Sequence, residues 1–358
     1  MSLNRDNVVI LAAAGSRKTE HIVESALSVA NGRVLITTYT NENQRVIIRR
    51  IEQKVGTVPP HIVVMGWFTF LISQCAKPYQ RLLTLTPFVI RGLNFKGARN
   101  RFTKKSNIEY FLDCNGDMYR DGVSDFVVTL NEKTLGAVVA RLERVFTYIF
   151  VDEVQDLVGY DLEVLDLLLT SRIKLLLVGD PRQHTFATNV GPKNKKYRGT
   201  GLANWFSERS EICRLEKRSE SYRCNQAICD FADAIYPDLP TTKSIDVPRT
   251  GHDGIFQVCI DEVEGYIAEY GPVTILRHDK NVDTKGFPAI NFGIAKGSTY
   301  DRVMIFPTRP MLQYLINKDP TKLKSPERLY VAVTRARFSV AFVVPTSLPT
   351  TLPPYRRR

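Results

Sequence analysis

Cysteine is scarce, with six in 358 residues (Cys75, Cys114, Cys213, Cys224, Cys229 and Cys259) and no Cys-x-x-Cys pair. That spacing excludes a disulfide scaffold and leaves Cys224 and Cys229 without a second pair for structural zinc, so a reducing cytoplasm is the expected compartment. No apolar run approaches the roughly 20 residues that span a bilayer, and no membrane partner is expected. The apolar stretch Val8 to Ala14 behind Arg5 superficially resembles a signal peptide, but Arg17 and Lys18 follow at once. Internal repeats and long low-complexity segments are absent. Acidic residues are in deficit: 37 Asp and Glu against 49 Lys and Arg give a net charge of +12, which points to a polyanionic partner such as nucleic acid. A hydrophobic fraction of 44% with 24% charged residues excludes wholesale disorder. At roughly 150 residues per domain, the length suggests two domains and room for a small module.

Short β-branched runs recur at Val8 to Leu11, Val34 to Thr37, Ile62 to Val64, Tyr148 to Val151 and Leu175 to Val178, separated by helical periodicity. This alternation predicts an α/β fold with mainly parallel sheets. It is interrupted from about 80 to 140, where Arg91, Lys96, Arg99, Arg101, Lys104 and Lys105 precede an acidic, turn-rich stretch from Asp113 to Asp125. A second α/β series begins near 213, with candidate strands Val273 to Leu276, Val303 to Phe306 and Val340 to Val344, and helices near Gln226 to Ile235 and Pro326 to Val333. Residues 345 to 354, rich in proline, and Arg356 to Arg358 read as a solvated end.

The first strand runs into Ala12-Ala13-Ala14-Gly15-Ser16-Arg17-Lys18-Thr19. A strand, a small-residue loop and Lys-Thr at a helix start suit nucleotide phosphates: backbone N–H groups cradle them and the helix N-terminus favours their charge. Lys18 would reach the β and γ phosphates and the Thr19 hydroxyl would hold Mg²⁺. The competing reading is an Ala-rich turn before an ordinary helix. Arg17 stands where a glycine would permit close backbone approach, and it either points outward or adds positive charge at the phosphates. The strand Tyr148 to Val151 ends in Asp152-Glu153-Val154-Gln155-Asp156. Carboxylates at the C-terminal end of a buried parallel strand lie where doubly wound sheets bind ligands, so Asp152 can reach Mg²⁺ and Glu153 can orient a water.

Further elements follow in a fixed order: Thr38-Tyr39-Thr40-Asn41, Gly66-Trp67-Phe68-Thr69, Asp152 to Asp156, Gly179-Asp180-Pro181-Arg182-Gln183, Ser221-Tyr222-Arg223, Ala295-Lys296-Gly297 and Tyr330-Val331-Ala332-Val333-Thr334-Arg335-Ala336. This series resembles the UvrD/Rep-like helicases of superfamily 1 over roughly residues 8 to 343, with gaps. The resemblance implies two RecA-like P-loop NTPase lobes: residues 1–80 with 141–212, then 213–346, with 81–140 a small insertion in the first lobe and 347–358 a Pro/Arg-rich tail. It implies ATP and Mg²⁺ as cofactors, held by residues 12 to 19 with Tyr222 stacking on adenine and Gly297 near the nucleotide. By the same resemblance Gln183 senses the γ phosphate from the first lobe, and Arg223 and Arg335 reach it from the second. Developing charge on a transferring phosphoryl group needs such cations. The implied catalytic set is Lys18, Asp152, Glu153, Gln183, Arg223 and Arg335, with Thr19 and Asp152 on the metal.

For DNA, Thr38, Tyr39, Asn41, Trp67, Phe68, His184 and Phe186 fall on family positions near the strand path, where aromatic faces stack on bases without reading sequence. Trp67 and Phe68 read equally as core within the apolar run Ile62 to Ile72. His184 reads as a phosphate ligand, a link between the two sites, or a structural histidine. Lys193, Lys195, Lys196 and Arg198, with Tyr197 among them, read as a backbone-tracking loop or a solvated charge run.

Three features depart from the family. Seven residues precede the first strand, where the family carries a glutamine element that reads adenine. About 70 residues separate Tyr222 from Lys296, where typical relatives insert a large subdomain. Thr299 stands where an acidic residue is common. The compact plan implies a DNA-dependent ATPase that translocates on single-stranded or partly duplex DNA, 3′ to 5′, more than it unwinds; the sequence by itself does not choose between DNA and RNA. The other functional class is an ATP-gated DNA sensor controlling a partner nuclease or other effector, similar to helicase-like subunits of bacterial antiphage systems such as Gabija.

Overall fold

The computed structural model describes residues 6–82, 88–97, 99–100, 102–189, 191–345 and 348–355. Arg5, Arg101 and Arg356 to Arg358 lie outside the described residues. The chain divides into two compact units, one of Met1–Leu11 with Lys18–Lys217 and one of Ala12–Arg17 with Arg218–Arg358.

The first unit is built on a six-stranded sheet in the order Ile62–Gly66, Val34–Thr38, Tyr148–Val151, Lys174–Gly179, Val8–Ala12, Arg214–Arg218. Parallel registers set Val34 beside both Ile62 and Tyr148, Tyr148 beside Lys174, and Val8 beside Leu176. Runs such as Val-Leu-Ile-Thr-Thr are buried along their whole length, as expected of parallel strands covered on both faces. Because the strands point the same way, Thr38, Gly66, Val151 and Gly179 all end on one edge. That edge is where open α/β sheets bind ligands.

Residues 81–140 hold a small parallel pair, Gly92–Asn94 with Asp117–Tyr119, and the helix Val123–Lys133. Phe126, Val127 and Leu130 of this helix join the same apolar core as Leu35, Ile149 and Leu175 of the sheet. Two of the basic residues here are spent on structure: Arg99 and Lys105 bond the buried Asp125 at 3.1 and 2.6 Å.

The second unit has a five-stranded sheet in the order Gly254–Cys259, Ala336–Val344, Tyr300–Phe306, Thr274–Arg277, Ile290–Asn291, with every pairing parallel. Asn225 caps the helix Gln226–Asp233 by accepting the Ile228 N–H, and Pro326 opens the helix Pro326–Val333 at the position where a missing N–H costs nothing. The expected solvated end is corrected. Tyr355 donates its N–H to Gln257 O at 2.8 Å, Gln257 donates its own to Pro353 O at 3.0 Å, and the Tyr355 hydroxyl donates to Glu269 Oε2 at 2.7 Å. Leu352 and Tyr355 are buried. Proline cannot donate, but its carbonyl still accepts, so a Pro-rich segment can line an edge strand.

Candidate functional site

In the first unit the helix Lys18–Leu27 starts with Lys18 and Thr19, and the Thr19 hydroxyl donates to Asp152 Oδ2 at 2.9 Å. Asp152 follows the buried strand Tyr148–Val151 and is itself buried. Burial and the neighbouring Glu153 charge push its pKa up to about 7, against the Thr19 hydrogen bond and Lys18. Two oxygen donors beside a second carboxylate are a hard-ligand arrangement with surplus negative charge, so the residues fit Mg²⁺. Among the described residues no group of three or more His, Cys, Asp and Glu is placed to hold a metal; Mg²⁺ is a cation that takes one or two protein oxygens and fills its shell with phosphate and water.

Glu153 takes a left-handed backbone (φ +58°), a conformation costing of order 1–3 kcal/mol for a residue with a side chain. Gln155 donates its amide to Glu153 Oε2 and accepts the Asp180 N–H at 2.9 Å. A Cβ on Gly179 would lie 2.4 Å from the same Gln155 oxygen, which is why the strand Lys174–Gly179 ends in glycine. The Gln155 carbonyl is 2.7 Å from His184 Nδ1; a carbonyl only accepts, so Nδ1 carries the proton. Gln183 Nε2 donates to Asp180 Oδ2 at 2.8 Å. Gln155 therefore joins the acidic strand end to the 180–184 segment. It went unassigned in the sequence although the Asp-Glu-x-Gln-Asp pattern displays it.

Beside these groups, the strand end at Thr38 leads into the helix Asn41–Val55, capped by Thr40, whose hydroxyl accepts the Asn43 N–H at 3.2 Å. Tyr39 is partly buried, with its ring centre 6.0 Å from Phe186 and 5.9 Å from Phe68. Burial pushes the Tyr39 hydroxyl above its ordinary value, while Arg120 draws it back down. Asn41 is exposed and accepts from Gln44 Nε2 at 3.0 Å. Three expected DNA contacts are corrected. Trp67 is 1% exposed and its indole N–H donates to Asp161 Oδ1 at 2.7 Å; Asp161 also takes Ser124, Thr188 and the Val158 N–H. Phe68 is buried in the same core, and the Thr38 side chain is enclosed. A side chain with no free face cannot stack on a base.

The basic segment 193–198 is also partly committed to the fold. Lys193 pairs with Glu163 at 3.3 Å, and Arg198 donates to Gly191 O at 2.6 Å.

In the second unit, residues 12–17 are held by main-chain bonds: Ala13 N–H to Arg218 O at 3.0 Å, and Tyr222 N–H to Gly15 O at 2.9 Å. The Ala14 N–H reaches the Tyr330 hydroxyl at 3.2 Å, a role the sequence did not assign to Tyr330. Gly15 has φ +79°, and a Cβ there would lie 2.5 Å from Ser221 Oγ and 2.7 Å from Arg223 Cβ. Arg17 takes φ +60° and lays its guanidinium carbon 4.1 Å from the centre of the Tyr222 ring. Ala12, Ala13, Ala14 and Ser16 are buried. Arg223 donates to Thr334 O at 3.1 Å. Arg335, buried, donates through Nε to Val331 O at 3.0 Å and through Nη1 to Ser298 O at 3.3 Å. Both arginines thus meet at the C-terminal turn of Pro326–Val333. Gly297 sits at φ +89° just after Phe292–Ala295.

Residues 105–344 match the viral superfamily 1 RNA helicase core domain, and residues 1–189 match an AAA domain. The chain belongs to the viral superfamily 1 RNA helicase core family, whose members are NTP-hydrolysing helicases. Among solved structures, the arterivirus nonstructural protein 10 helicase is similar at 16% identity and a TM-score of 0.45, with 95% of this chain and 60% of that chain covered. The PRRSV helicase is similar at 17% identity and a TM-score of 0.45, with 97% and 56% covered. The arterivirus helicase in complex with DNA gives 15% identity, a TM-score of 0.44, and 96% and 61% covered. The chain thus spans about three-fifths of the length of these helicases. No curated protein matches the chain.

Proposed function

We propose that the protein is a nucleic-acid-dependent ATPase of UvrD/Rep-like type that translocates 3′ to 5′ on single-stranded DNA. The observation that carries this reading is the Thr19–Asp152 hydrogen bond, which joins a Lys-Thr helix start to the carboxylate pair of an acidic strand end. Thr19 and Asp152 would hold Mg²⁺, which neutralises charge on the phosphate oxygens when bound. Residues 12 to 17 offer backbone N–H groups to the phosphates, and Lys18 draws charge off the transferring group. Glu153, held by Gln155, orients the attacking water and takes its proton. Gln183, Arg223 and Arg335 stabilise the charge that develops on the phosphoryl oxygens. Tyr222 offers its ring to the base.

Tyr39 and Phe186, with Asn41 and His184, are the nucleic-acid side of this reading. Because His184 bonds the Gln155 carbonyl and Gln155 bonds Glu153, a change at the carboxylates reaches the segment that carries Phe186. The family is named for RNA helicases, so both nucleic acids belong in the test. Steady-state ATP hydrolysis is measured with no strand, with oligodeoxythymidine and with oligouridine, for the wild type, Lys18→Ala and Glu153→Gln. Strong stimulation by oligodeoxythymidine, lost in both variants, is expected, followed by displacement of a duplex block only from the 3′-tailed side. Hydrolysis indifferent to either strand overturns the reading.

A further inference from the structure

The first unit holds an aromatic series longer than the sequence suggested. Phe186, Tyr39 and Phe68 continue to Phe95, whose ring centre lies 6.1 Å from Phe68 at 83°. Phe68 is buried, whereas Phe95 is 58% exposed. Phe95 follows the strand Gly92–Asn94 in a turn held by its neighbour: Asn94 Oδ1 accepts the N–H groups of Lys96 and Gly97 at 3.0 and 2.6 Å, and Asn94 Nδ2 donates to Asp113 at 2.7 Å. The turn keeps an apolar ring in water. Lys96 beside it and Arg91 before the strand are exposed. Neither has a carboxylate partner among the described residues, unlike Arg99 and Lys105, which both pair with Asp125.

One exposed phenylalanine is unremarkable on a protein surface. Here it ends a series of rings and is flanked by cations that have no carboxylate partner among the described residues, on a chain carrying a net +12. An aromatic face next to unpaired positive charge is the combination that binds an unpaired nucleobase and its phosphate. A duplex hides its base faces in the stack. We propose that Phe95 is an additional nucleic-acid contact, stacking on one base of a single strand while Lys96 and Arg91 meet the adjoining phosphates. This rests on the nucleic-acid reading of Tyr39 and Phe186 and adds to it a contact from the 81–140 stretch.

Fluorescence anisotropy of labelled oligodeoxythymidine and oligouridine on the full chain tests it, with a blunt duplex as comparison. Phe95→Ala should weaken single-strand binding about five- to hundred-fold, leave the salt dependence of binding unchanged, and leave ATP binding without nucleic acid as in the wild type. Lys96→Ala should instead lower the slope of log K against log salt by about 0.7 for a single strand. Phe95→Trp should retain affinity, and its added fluorescence should be quenched by the strand; this variant decides the matter if Phe95→Ala does not fold. Wild-type affinity in Phe95→Ala, or no quenching in Phe95→Trp while the strand binds, overturns the Phe95 contact and leaves the wider reading intact. A wild type that binds neither strand overturns both.

Discussion

The guanidinium of Arg17 covers the ring of Tyr222, 4.1 Å from its centre, and the arginine pays for that placement with a left-handed backbone at φ +60°. On the proposed reading, in which Tyr222 stacks on the base of the nucleotide, that base must displace the guanidinium. Arg17→Gly removes strain of about 1–2 kcal/mol and a cation–π contact of about 0.5–1 kcal/mol, and adds about 0.5–1 kcal/mol of backbone entropy cost. These nearly cancel, so the urea midpoint should barely move while the KM for ATP falls several-fold. A higher KM in Arg17→Gly would mean instead that the charge serves the phosphates.

Thr19 and Asp152 should act as one unit toward Mg²⁺. Thr19→Val and Asp152→Asn are each expected to raise the Mg²⁺ concentration needed for half-maximal hydrolysis and to lower kcat by about a hundred-fold or more. The double variant should lose little beyond either single one. Full additivity in the Mg²⁺ titration would separate the two residues' roles.

Trp67 is expected to behave as core. Trp67→Phe keeps an aromatic side chain but trims the indole to a phenyl and deletes the donor to buried Asp161, whose pKa burial already raises against its hydrogen bonds from Ser124, Thr188, Trp67 and Val158. Urea unfolding should show a loss of about 1–3 kcal/mol, with single-strand affinity of the folded protein unchanged. A tenfold loss of affinity at unaltered stability would return Trp67 to the strand path.

Much of the fold was readable along the chain. The runs at Val8, Val34, Ile62, Tyr148 and Leu175 are strands of one sheet, and Pro326–Val333 is a helix as expected. These are short-range patterns: β-branched runs, helical periodicity and an acidic pair after a strand carry their meaning within a few residues. Lys18, Thr19 and Asp152 were nameable for the same reason, since each stands at the end of an element.

What the sequence determined by itself was therefore the order of strands and helices and the residue types that stand at their ends. The tertiary structure decided which side chains keep a free face and which charges stay unpaired. Trp67 lost its face to Asp161, Arg99 and Lys105 pair with Asp125, and the proline-rich end found an edge strand at Gln257. Phe95 kept both an open ring and, beside it, a lysine with no carboxylate partner among the described residues. Burial and charge pairing depend on partners 20 to 100 residues away, and a local pattern of residue types is the same whether or not those partners arrive.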